Sequence, residues 1–206
     1  MSVVHLLDTI TEWARVNICD QIMLKQPPDD PDAPVDGEYE YKRVHPAAFA
    51  MYVPTAEKNP PNFHAPYPSL CVRFTQGQDE AAHGNGAVDV QFCFSAWNPG
   101  THGRDILQPS GDMSLKEWSG KEADAHFQRN GEGWRDLWMF ADIALRAVES
   151  VTHIGNYTID RATPIKFGPL TEQEAIPDFY PYWFAWVSFR VTYPLRRNIS
   201  SIQNLL

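Results

Sequence analysis

Two runs of strict alternation limit the folds open to this chain more than anything else in it. In Val88-Asp89-Val90-Gln91-Phe92-Cys93-Phe94-Ser95-Ala96-Trp97, the residues Val88, Val90, Phe92, Phe94 and Ala96 take every second position. In Tyr182–Tyr193 (YWFAWVSFRVTY), Trp183, Ala185, Val187, Phe189, Val191 and Tyr193 share one side, and Tyr182, Phe184, Trp186, Ser188, Arg190 and Thr192 the other. A period of two sends neighbouring side chains to opposite faces of a strand. Leu70, Val72 and Phe74 repeat the pattern in a shorter run, and the polar, glycine-rich Gln76–Gly86 stretch reads as a long loop that makes the two runs an antiparallel hairpin. The last run, half aromatic and half polar on its second side, belongs near the sheet centre, and Pro194 stops it.

Elsewhere the period changes. Val3, Leu6, Leu7, Ile10, Trp13, Ala14, Asn17 and Ile18 approximate a helical stripe from Val3 to about Leu24, ending before Pro27. Trp134, Leu137, Trp138, Ala141, Leu145 and Val148 mark the strongest helix, from about Gly133 to Val151, which should lie across the sheet. Ala47–Val53 fits a short strand or a helical turn, Asn156–Asp160 a strand, and Pro164–Gly168 a loop. Prolines crowd Gln26–Pro34 and Asn59–Pro68, where they forbid helix and enforce extended loops. Residues 98–130 show little periodicity beyond a short helix around Leu115–Trp118 and read as an insertion or arm, and Leu195–Leu206 as a short tail.

With 43% hydrophobic and 21% charged residues the chain is neither disordered nor collagenous, and at 206 residues it buries roughly 70% of its extended surface, enough for one good core. Its formal charge of −9 argues against a main task of gripping nucleic acid, which needs a local excess of cations. No run approaches the roughly 20 apolar residues that span a bilayer, and MSVVHLLDTITEW has no basic leader, so a cytoplasmic chain without a membrane partner is expected.

The search for chemistry runs from residue type to spacing. His5, His45, His64, His83, His102, His126 and His153 are dispersed, with no His-x-x-x-His pair and no HExxH, and read as loop and surface histidines. Gly-x-Ser-x-Gly is missing. Gly84-Asn85-Gly86 precedes a strand instead of opening a helix, so it reads as a turn needing positive φ and not as a phosphate cradle. Pro31 and Pro34 interrupt the oxygen spacing that Asp29, Asp30, Asp32 and Asp36 would need for calcium, and Glu172 and Glu174 read as surface charge. If the hairpin is symmetric about residue 82, Cys71 and Cys93 are cross-strand neighbours on the face opposite Leu70, Val72, Phe92 and Phe94. Two buried thiols are favoured over a disulfide or redox pair. No catalytic, cofactor-binding or metal-binding residue is assigned. The surplus of 7 Trp, 8 Tyr and 11 Phe with 17 Pro points instead to surfaces that meet other proteins.

In this order of elements the chain resembles the tail terminator (tail completion) proteins of long-tailed bacteriophages. The likeness is carried by HLLDTITEWARVNI at 5–18, PSLCVRFTQG at 68–77, VDVQFCFSAW at 88–97, GWRDLWMFADIALRAVES at 133–150 and PYWFAWVSFRVTYP at 181–194. It implies an α+β fold, a mainly antiparallel sheet flanked by helices, in one domain over residues 1–206. The chain departs from the family by long insertions at about 26–66 and 98–130. It further implies a virion structural protein, assembled in the host cytoplasm into the virion tail, with no catalytic residues. Its copies would form a ring, typically a hexamer, that caps the tail tube and presents a face to the head connector. Such a hexamer carries six times the −9 of one chain, and acidic lumen walls would let DNA pass without sticking. Contacts between copies are expected around Trp97 and Trp118 and on the outer side of the last strand at Phe184 and Trp186. The competing readings are another head-tail connector or baseplate component, and a small ligand-binding domain with an aromatic pocket lined by Trp97, Trp183 or Trp186.

Overall fold

A computed structural model describes residues 2–28, 42–54, 66–80, 84–98, 133–172, 176, 179 and 181–195. Helix α1 (Val3–Asn17) is capped by Ser2, whose hydroxyl accepts from the Val4 amide, and buries Leu6, Leu7, Ile10 and Ala14. It stops well short of Leu24. Ile18 leaves helical geometry at φ −125°, a short 3-10 turn covers Cys19–Gln21, and the chain then enters β1 (Leu24–Lys25), which pairs with β2 (Arg43–Val44).

Among the described residues the main sheet has seven strands: β3 (Ala47–Ala50), β4 (Ser69–Glu80), β5 (Asn85–Trp97), β6 (His153–Ile154), β7 (Tyr157–Ile159), β8 (Lys166–Pro169) and β9 (Tyr182–Pro194). Their order is β3-β4-β5-β9-β7-β6, with β8 pairing on the same flank of β9 as β7. Among the described residues only β3 runs parallel to its neighbour, β4. The fold is therefore α+β with a mainly antiparallel sheet, as expected, and β9 lies between β5 and the β7–β8 flank, near the centre. The ambiguous Ala47–Val53 segment is a strand over its first four residues.

The hairpin is longer than its apolar residues suggest. β4 continues through Gln76–Glu80, where a loop is expected, because a bulge between Phe74 and Gln76 shifts the register by one residue. Phe74 pairs with Val90, but Gln76 pairs with Asp89 and Gly77 with Val88. The parity flips at the bulge, so Gln76 and Gln78 continue the outer face of Ser69, Cys71 and Arg73. Gly84 has the positive φ that the turn calls for (67°), whereas Gly86 already belongs to β5.

Helix α2 (Gly133–Ser150) lies across the sheet, in contact with β5 and β9, while α1 covers β3 and β4. Between them sits the core, with Phe140 of α2 edge-on to Phe94 at 4.9 Å and Phe92 edge-on to Phe189 at 5.1 Å. The stripe on α2 runs through Leu137, Phe140, Ala141, Ala144 and Val148, and Trp134 falls outside it.

Candidate interaction surface

One end of the molecule gathers aromatic residues because four element ends meet there: the starts of β4, β9 and α2 and the finish of β5. Trp183 Nε1 donates to the Asn98 carbonyl at 2.9 Å and so ties β9 to the residue that follows β5. Gly133 packs into the same corner. A Cβ there would stand 2.3 Å from the Asn98 carbonyl oxygen and 2.7 Å from Trp183 Nε1, so no larger residue fits without backbone movement. Tyr67 stacks at a tilt on Tyr182 at 4.9 Å, and Phe184 meets Phe179 edge-on at 5.6 Å.

These contacts shape an apolar groove of about 250 Å³. Trp134, Trp138, Leu170, Ile176, Phe179 and Phe184 line it. Much of the lining is open to solvent: Trp134 is 42% exposed and Ile176 70%. Beside it on β8, Phe167 is 56% exposed while its ring meets Trp138 edge-on at 6.4 Å. Large aromatics left this accessible and this close together are uncommon on a surface that meets only water. A second, smaller apolar spot lies past the far edge strand β3, where Met51 and Tyr52 are exposed, Tyr52 to 70%.

The polar end of the sheet offers a different surface. A cleft of about 430 Å³ is lined by Gln78, Asn85, Thr158, Asp160, Arg190 and Thr192. Arg190 is committed there: its Nε donates to Asp89 Oδ1 at 2.6 Å and a terminal nitrogen to Oδ2 at 3.0 Å, while Gln76 Nε2 donates to Oδ2 at 2.7 Å. The hydrogen bond from Arg190 holds the Asp89 carboxyl below the usual carboxylate range, with Gln76 adding to the effect. One edge of the guanidinium, Nε and a terminal nitrogen, is thus taken up by a bidentate pair with Asp89.

The expected contact residues divide among three places. Trp97 is 3% exposed and stands at the finish of β5, opposite Tyr182. Phe184 lines the groove. Trp186 is half-buried on the outer face, its Nε1 donating to the Pro169 carbonyl at 3.1 Å. Trp118 lies outside the described residues, as do His64, His83, His102, Asp29, Asp30, Asp32, Asp36 and Glu174. The residues that sequence reasoning missed are Trp134, Phe167, Leu170, Ile176 and Phe179. Trp134 fits a core stripe by spacing, and only the choice of Phe140 and Ala144 as the buried track moves it outside. No described helix is long and apolar enough to cross a membrane.

No protein-family model matches the sequence, and no curated protein matches it.

Proposed function

We propose that this chain is a structural subunit of a bacteriophage virion, a tail terminator whose copies join head to tail into a ring that caps the tail tube and meets the head connector. The observation that supports the reading best is a pair of unlike apolar patches on opposite edges of one sheet: the aromatic groove with Phe167 of β8 on one flank, Met51 and Tyr52 past β3 on the other. A heterologous contact requires two such unlike surfaces on each copy, and it closes into a ring when the rotation between copies allows. The groove is open and lined mainly by apolar side chains, with Trp134 and Ile176 largely exposed, which suits contact with another protein surface.

Light scattering of the purified chain, alone and with tail tube protein, tests the assembly. A ring, or a ring formed on the tube, is expected; a monomer that ignores the tube at high concentration overturns the proposal. Two variants sharpen it. Phe167→Glu blocks one patch and Tyr52→Glu the other, so each alone is expected to be monomeric. Mixed in equal amounts they retain one intact contact between them and stop at a heterodimer. Self-association of either variant alone would point to a two-fold contact instead.

A further inference from the structure

Cys71 and Cys93 stand directly opposite one another on β4 and β5, as the hairpin symmetry leads one to expect, and both are free thiols. Opposed residues in an antiparallel pair have Cα atoms about 4.5 or 5.5 Å apart, depending on the type of site. Both distances fall within the roughly 4.4–6.8 Å that a disulfide spans. The flanking pairs on the same face show how side chains converge there. Two residues one way, Ser69 Oγ and Ser95 Oγ lie 2.6 Å apart; two residues the other way, Arg73 Nε donates to Gln91 Oε1 at 2.8 Å. The type of site repeats every second residue. The cysteine pair is thus of the same kind as the serine pair, and a cysteine sulfur hangs from Cβ just as a serine oxygen does. Cys93 Sγ donates to Gln91 Oε1 at 3.6 Å, a weak contact that it gives up by a change of χ1 when it turns toward Cys71.

We propose that Cys71 and Cys93 form a dithiol site that closes reversibly to an intramolecular disulfide on meeting a small-molecule disulfide such as oxidised glutathione. Cys93, the less buried of the two, attacks one sulfur of the oxidant as its thiolate; a mixed disulfide forms and one small thiol leaves. The Cys71 thiolate then attacks Cys93 Sγ, forming the bond between the strands and releasing the second small thiol. Two protein thiols are oxidised, one oxidant disulfide is reduced, and the two protons leave on the released thiols. Burial pushes the Cys71 thiol up to about 11 and raises that of Cys93, so thiolate is scarce near neutrality and exchange is slow. Cys19, fully buried in the core in the turn that follows α1, is the internal control.

The site does not depend on assembly and is tested on the isolated full-length chain. The native protein is incubated with oxidised glutathione, unfolded in N-ethylmaleimide and digested with trypsin. The expected product is peptide 59–73 joined to peptide 74–104, with one blocked cysteine in place of three and full reversal by dithiothreitol. Cys71→Ser is expected to lose the joined pair and to hold glutathione on Cys93 instead; Cys93→Ser loses it as well. Three blocked cysteines after oxidation, glutathione adducts without the joined pair, or a bridge through Cys19 or between chains would each overturn the proposal.

Discussion

Asp89 sits between two donors on the outer face of the sheet, and its ionisation couples to folding. Its carboxyl is held below its ordinary value in the folded chain, chiefly by the hydrogen bond from Arg190. Stability from this source is therefore complete above the unfolded carboxylate value of ~4 and is lost as the pH falls through the lower folded value. Urea midpoints measured from about pH 5 down to pH 2 should decline, and Asp89→Asn should lower the neutral-pH midpoint and flatten part of that decline. Part of the slope should remain, because Asp160 is also lowered, first by the hydrogen bond from the Thr163 hydroxyl. An acid slope identical in wild type and variant would remove Asp89 from this account.

At the scale of elements, α2 shows what each of its sides does. Phe140 is fully buried against Phe94, so Phe140→Ala is expected to cost about 3–5 kcal/mol in chemical unfolding, whereas Met139→Ala, on the open side, should stay within about 0.5 kcal/mol. Equal effects would mean that the helix is rotated from the position described here. The long strands β5 and β9 were legible because each carries its apolar residues on one side without interruption. The continuation of β4 was not: the bulge after Phe74 reverses parity, and a reader counting in twos loses the strand at that residue. Strand β8 was hidden for another reason. Pro164–Gly168 reads as loop, but a flank of β9 lies open to pairing there, and Gly168 lets the Trp186 ring come close, 3.2 Å from where a Cβ would stand. The parallel pairing of β3 with β4 depends on contacts distant in sequence that no local pattern records. For the candidate surface, surplus aromatic content was visible in composition, and Phe184 was singled out; the groove itself depends on four element ends meeting, which spacing along one segment does not encode.

Over the described residues, the sheet has a helix-covered face and an outer face that is aromatic toward the start of β9, at Tyr182, Phe184 and Trp186, and polar toward its finish, at Ser188, Arg190 and Thr192, with further exposed apolar residues toward its two flanks. The association proposed for the aromatic groove should follow apolar burial more than charge. Raising sodium chloride to several hundred millimolar is therefore expected to leave the oligomer intact, because screening weakens exposed charge pairs and not apolar contact. Dissociation with added salt, followed by sedimentation, would instead place charged groups at the joint.

The corner that joins Asn98, Gly133 and Trp183 has an engineering consequence. A methyl group on residue 133 would stand 2.3 Å from the Asn98 carbonyl oxygen, so any substitution there must push the start of α2 off the finish of β5. Gly133→Ala should therefore lower the thermal melt, and a fluorescent or affinity module belongs instead on the open side of α2, at Met139, which is 58% exposed.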